Sequence, residues 1–155
     1  MSILQGKRPS TWALRSTWAL RLLLAALLAI PASFAVAAPA NAETNPSCAS
    51  VTQIGSTAYI VIGGTTFASV KQFKGCSKNW SYVYVWQAWR SSHSSWDMCA
   101  AIGVEVSDPY LDGIKCYYST TKAEIWSYGT NTLSLCTRAI GWWPDRASAK
   151  TDVRC

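Results

Sequence analysis

The chain has 155 residues, 50% of them hydrophobic and 14% charged, with a formal net charge of +6. This length allows one domain, or one domain with a short appendage, and the high apolar and low charged fractions exclude a disordered polyelectrolyte. The sequence contains a single histidine, His93, which excludes any site built from several histidines.

Residues 1–42 have the pattern of a secretory signal peptide. Four basic residues precede the apolar run 22–30, and a stretch of small residues ends at Ala42. A basic region, a short apolar region and a small-residue cleavage site define such a signal. The apolar run is too short for a membrane span, which needs about 20 apolar residues. We therefore expect cleavage near Ala42, a mature domain of residues 43–155 that is secreted and extracellular, and no membrane association afterwards. Residues 43–47 read as a short exposed leader.

The charge of the expected mature domain is much smaller than that of the whole chain. Ten of the 14 basic residues and all eight acidic residues lie in 43–155, so the net charge there is +2. Counterion release from a nucleic acid needs several clustered cations, and these ten are scattered along the chain. We expect no nucleic-acid partner.

The six cysteines all lie in the expected mature domain, and export favours disulfides over free thiols. Zinc sites usually need closely spaced cysteine pairs, and the nearest two cysteines here are 17 positions apart. We therefore expect no metal and no cofactor. Six cysteines allow 15 pairings, of which sequential pairing would tie neighbouring strands and hold the tail: Cys48–Cys76, Cys99–Cys116 and Cys136–Cys155.

The pattern of the mature domain predicts an all-β fold, a small disulfide-stapled sandwich or barrel of about six to eight short antiparallel strands. Gly63 and Gly64 suit the positive φ of a two-residue hairpin turn. The strand candidates, in chain order, are 57–62, 65–73, 80–89, 98–106, 114–118, 123–128 and 133–140.

The segment 80–89 carries the candidate binding residues. Period-two alternation places Trp80, Tyr82, Tyr84 and Trp86 on one face, while Val83, Val85 and Trp89 share the other. If the valine face is core, the aromatic face is an exposed stripe suited to an extracellular protein or glycan. Aromatic strand residues are more often core, so the opposite arrangement stays open.

Candidate catalytic groups are few. His93 lies in a serine-rich loop between Ser92 and Ser94, with Asp97 four positions on, and adjacent loop serines are poorly placed as oriented nucleophiles. Hydrolysis of a glycoside needs a carboxylate pair, and the candidates are Asp97, Glu105, Asp108, Asp112 and Glu124. We favour a non-enzymatic binding module and keep a small hydrolase using His93 as an alternative.

Two resemblances bear on the function. Segment 71–83, with Cys76 followed by Asn79-Trp80 and with Cys48 upstream, resembles a family of small secreted actinobacterial domains of unknown function. The match covers residues 48–86. The spacing from Phe73 to Cys76 is one residue shorter than in that family, and Ser-Tyr follows Trp80 in place of Ala-Arg. The resemblance implies extracellular location and β-architecture.

Trp89-Arg90, followed by Cys99 and Cys116, is similar to the streptomycete α-amylase inhibitors, all-β proteins whose exposed Trp-Arg-Tyr triplet plugs the enzyme's active site. Ser91 replaces the tyrosine of that triplet here, and the cysteine that opens the inhibitors' first disulfide loop is missing. The resemblance implies an inhibitor of a secreted hydrolase, anchored by Trp89 and Arg90. In the competing interpretation Trp89 is core and Arg90 is solvated.

Overall fold

The structure, a computed structural model, describes residues 43–155. The signal peptide predicted over residues 1–42 lies outside these residues. Within the described part, no helix is long and apolar enough to cross a membrane. The elements in chain order are β1 (Thr52–Ile62), β2 (Thr65–Gly75), β3 (Lys78–Val85), α1 (Gln87–Arg90), β4 (Trp96–Val104), β5 (Tyr110–Thr120), β6 (Glu124–Trp126), β7 (Thr137–Trp143) and β8 (Ala147–Lys150).

The eight strands form two four-stranded sheets that pack face to face. The first sheet has the order β1-β2-β3-β6 and the second has the order β5-β4-β7-β8, and every neighbouring pair is antiparallel. Buried side chains of both sheets, including Val70, Val83, Met98 and Ala139, form one core between them. The prediction of an all-β fold is confirmed, and of its two architectures the sandwich is the one observed.

The β1–β2 hairpin combines a tight turn with a bulge. Gly63 and Gly64 have φ of 57° and 79°, the positive values that a two-residue turn of this kind requires. Further along, Ile60 pairs with Ala68 and Val61 with Thr66, so Phe67 is an extra residue on β2. A bulge re-aims a side chain, and the buried Phe67 ring lies in the core.

Two of the predicted strands include residues that form a helical or other turn in the structure. β3 ends at Val85 rather than at residue 89, because the amide of Arg90 bonds the carbonyl of Trp86 at 3.0 Å and closes one helical turn, α1. The turn brings Trp89 into the core beside Phe67, with ring centroids 5.3 Å apart. The predicted strand 133–140 starts with a turn instead, and β7 begins only at Thr137.

All six cysteines are paired, and the predicted sequential pairing is confirmed. Cys48–Cys76 ties the segment before β1 to the β2–β3 turn. Cys99–Cys116 joins register partners of β4 and β5, and Cys136–Cys155 holds the polar tail against the start of β7. Three disulfides indicate an oxidising environment.

Candidate functional site

Residues 43–48, which we call the N-terminal strap, lie on the face of the first sheet that is turned away from the second. The amide of Cys48 bonds the carbonyl of Asn45 at 3.2 Å, which folds the strap into a turn. Glu43 forms an ion pair with Lys71 of β2. Asn45 and Cys48 are buried, so the prediction of an exposed leader over residues 43–47 is wrong for its central residue.

The strap covers a cluster of aromatic side chains. Cys48 packs in this cluster with Phe73 of β2, Trp80 and Tyr82 of β3, and Trp126 of β6. Trp80 and Tyr82 are only 5% and 3% exposed. The expected exposed stripe is therefore wrong for these two residues, because Cys48 of the strap and the ring of Trp126 on the neighbouring strand β6 pack in one cluster with them. The valines of β3 do face the core, as that hypothesis required.

The hydroxyl of Tyr82 is held inside this cluster. It donates a hydrogen bond of 2.7 Å to a carboxylate oxygen of Glu124 on β6. Burial, reinforced by that hydrogen bond and by the negative charge of Glu124, raises the pKa of Tyr82 well above its ordinary value. Tyr82 is thus a fixed structural donor on the covered part of the face.

The uncovered part of the same face is a groove lined by aromatic rings. Tyr59 of β1 is 54% exposed and Trp86 is 43% exposed, with their ring centroids 6.5 Å apart. Tyr84 is half-buried, and its ring centroid lies 6.3 Å from that of Trp86. We call this the aromatic groove. Its volume is about 440 Å³, and its remaining lining residues are Glu43, Thr57, Ser69 and Lys71.

Tyr59 is the aromatic residue of the groove that sequence reasoning missed. The pairing places Tyr59 opposite Ser69 and Ser69 opposite Tyr84, so one row of side chains crosses three strands. Counting strand pairs outward from the Gly63-Gly64 turn predicts this row of side chains only if the bulge at Phe67 is also known. The glycine turn was therefore a usable signal for Tyr59, but only together with the position of that bulge.

Arg90 of α1 contacts Tyr84, one of the groove residues. Its guanidinium donates hydrogen bonds of 3.1 Å to the carbonyl of Val85 and 3.1 Å to the hydroxyl of Tyr84, and it lies 5.6 Å from the centre of the Tyr84 ring. Trp89 is 6% exposed, so it belongs to the core, as one of the two interpretations predicted. Arg90 is half-buried rather than freely solvated, and the pair does not form an exposed anchor.

His93 lies outside the groove, on the loop after α1. Its ring stacks on Trp89 with centroids 3.9 Å apart, and its Nδ1 is 3.0 Å from the hydroxyl oxygen of Ser92. Asp97 accepts a hydrogen bond of 2.7 Å from the amide of Ser119. Ser92 therefore lies beside His93, whereas Asp97 binds the backbone of β5.

Three of the other four candidate carboxylates also have structural partners, and the fourth, Asp108, is exposed. Glu105 forms an ion pair of 2.7 Å with Arg138, Asp112 accepts the amide of Gly113 at 2.7 Å, and Glu124 accepts the hydroxyl of Tyr82. Across residues 43–155, no three histidine, cysteine, aspartate or glutamate side chains come together as a metal site.

Comparison with known proteins gives no relative from which a function could be taken. No family model matches the chain, and no curated protein or solved structure is similar to it. The two resemblances noted in the sequence therefore stay predictions.

Proposed function

We propose that this protein is a secreted, extracellular binding module and that the aromatic groove is its binding site for an extracellular glycan or protein. One observation carries the proposal: on a sheet face whose other aromatic rings are covered, Tyr59, Tyr84 and Trp86 border an open groove. The signal-peptide pattern of residues 1–42 and the three disulfides support an extracellular location.

The groove combines apolar rings with polar groups that can fix the orientation of a ligand. Aromatic residues with a polar tip are enriched at binding surfaces because one end is apolar and the other forms hydrogen bonds. Ser69 and Thr57 add hydroxyl groups to the lining. Arg90 holds the Tyr84 ring in place before any ligand arrives, so less side-chain freedom is lost on binding.

Trp86→Ala is the direct test, since it removes the most exposed indole at the groove. Buried aromatic anchors of interfaces typically contribute 2 kcal/mol or more, so we expect affinity for the bound ligand to fall at least about tenfold. The measurement is a titration of wild type and variant against a panel of soluble polysaccharides and purified extracellular proteins.

Tyr118→Ala is the matched control. Tyr118 is 66% exposed but lies on β5 of the second sheet, outside the groove. The control should bind as the wild type does. Equal loss in both variants, or no loss in Trp86→Ala, would show that the groove is not the site.

A further inference from the structure

A second depression lies beside the aromatic groove, where β6 of the first sheet meets β5 of the second. Its volume is about 410 Å³, and we call it the lysine pocket. Lys115 and Tyr117 of β5, Lys122, and Glu124 of β6 line it, together with Pro46 of the strap.

Two ammonium groups are gathered around one aromatic ring in this pocket. Nζ of Lys122 is 4.6 Å and Nζ of Lys115 is 5.6 Å from the centre of the Tyr117 ring. Lys115 also lies 5.5 Å from the ring of Tyr128. Neither lysine is among the ion pairs formed within residues 43–155. The rings hold both cations in place without neutralising them.

The lysine pocket continues the row of side chains that crosses the aromatic groove. Tyr59, Ser69, Tyr84 and Glu124 are successive register partners on the four strands of the first sheet. Neighbouring strands lie about 4.8 Å apart, so the row is about 14 Å long. The strap borders both ends of this surface, because Glu43 lines the groove and Pro46 lines the pocket.

The charges along this surface favour an anion. Lys71 is neutralised by Glu43. Lys115, Lys122 and Arg90 form no ion pair with a carboxylate in the described part of the chain. Glu124 is the one carboxylate in the lining of the lysine pocket, and it already accepts the hydroxyl of Tyr82. Three cations against one carboxylate leave an excess of two positive charges beside the exposed rings.

We propose that the ligand is an acidic glycan, whose sugar rings pack on Tyr59 and Trp86 while its carboxylate or sulfate groups bind Lys115 and Lys122. This inference rests on the proposed function and specifies its ligand. A glycan is favoured over a nucleic acid because two lysines and one arginine are few for counterion release from a phosphate backbone, and the net charge of residues 43–155 is only +2.

The experiment measures binding of the protein to four probes: polygalacturonate, dextran sulfate, neutral dextran and single-stranded DNA. The first two distinguish carboxylate from sulfate. The variant is Lys115→Gln/Lys122→Gln, which removes both positive charges and leaves a polar side chain of similar length at each position. Its control is Lys74→Gln/Lys150→Gln, which removes two exposed lysines that lie outside the groove and the pocket. Trp86→Ala is measured alongside.

We expect at least one acidic polysaccharide to bind more tightly than neutral dextran, and more weakly as salt rises. Lys115→Gln/Lys122→Gln should lower that affinity about tenfold or more, since charge-assisted contacts are strong, while the control double variant keeps it. Trp86→Ala should lower it as well.

Three results would overturn the inference, and they separate it from the proposed function. In the first, neutral dextran binds as tightly as the acidic probes, and this binding is lost in Trp86→Ala but kept in Lys115→Gln/Lys122→Gln. That result would keep the groove as a binding site and reject an acidic ligand. Tighter binding of DNA than of either acidic polysaccharide would assign a different polyanion. Binding of none of the probes would reject a glycan, and only the titrations against extracellular proteins would then decide whether the groove is a site.

Discussion

At the scale of single residues, Tyr82 makes the stability of the fold depend on pH. Its pKa is raised in the folded protein by burial and by Glu124, whereas the pKa of a tyrosine in the unfolded chain is about 10. The stabilisation is therefore complete below that pH and is lost as pH rises above it towards the folded pKa, because only the unfolded state then releases the proton.

Tyr82→Phe should remove the loss of stability that ionisation of Tyr82 causes at alkaline pH. We expect the melting temperature of the wild type to fall more steeply between about pH 9 and about pH 11 than that of Tyr82→Phe. Circular dichroism melts across this range would measure it. Tyr118→Phe, at an exposed tyrosine, should follow the wild type, and parallel curves for all three proteins would contradict the assignment.

The same residues show how far a sequence can be read at this scale. Period-two alternation correctly places Trp80, Tyr82 and Tyr84 on one face of β3 and Val83 and Val85 on the other. It carries no information about what covers the aromatic face. The cover comes from Cys48 of the strap and Trp126 of β6, both distant from Tyr82 in the chain, so the difference between the buried Tyr82 and the half-buried Tyr84 is a non-local effect.

At the scale of elements, the strap depends on the disulfide Cys48–Cys76, which closes a loop of 28 residues. The double variant Cys48→Ala/Cys76→Ala should lose about 3–4 kcal/mol of unfolding free energy. It should also be cut within residues 43–51 by a non-specific protease before the rest of the domain is cut. Urea titration and N-terminal sequencing of the fragments measure the two effects.

Cys136→Ala/Cys155→Ala provides the comparison, because it opens a loop of similar length, 19 residues, at the other end of the chain. It should lose comparable stability but keep the strap protected. Early cutting of the strap in both double variants would mean that general loosening, rather than release of the strap, explains the result.

Element boundaries were predictable where the chain itself marks them. The Gly63-Gly64 turn is marked by residues that tolerate positive φ, and the hairpin follows from it. The end of β3 is not marked, since Trp86 and Trp89 fit a strand as well as a helical turn. The helical turn is favoured because it buries Trp89 beside Phe67 and Trp143. These contacts join residues that are distant in sequence.

At the scale of the whole molecule, the two sheets pack closely at Gly141 of β7. A Cβ atom there would lie 2.6 Å from a methyl group of Val83 and 2.7 Å from one of Val70, both on the first sheet. Gly141→Val should therefore force the sheets apart, at a cost of about 1–3 kcal/mol. Each kcal/mol lowers the melting temperature of a domain this size by roughly 4 °C.

The change in melting temperature can be measured by differential scanning calorimetry. Ser148→Val is the matched substitution: Ser148 is exposed on β8 and should accept a β-branched side chain at little cost. If Gly141→Val melted at the temperature of Ser148→Val, the space between the sheets would be larger than the structure shows.

The unequal exposure of the tryptophans also has an optical consequence. Trp86 is the most exposed indole in the described part of the chain, whereas Trp80, Trp89, Trp96 and Trp126 are buried. A small aqueous quencher such as acrylamide will therefore reach Trp86 first, and a molecule seated in the aromatic groove will shield it. The groove thus contains its own fluorescent reporter, and occupancy can be followed in the unlabelled protein.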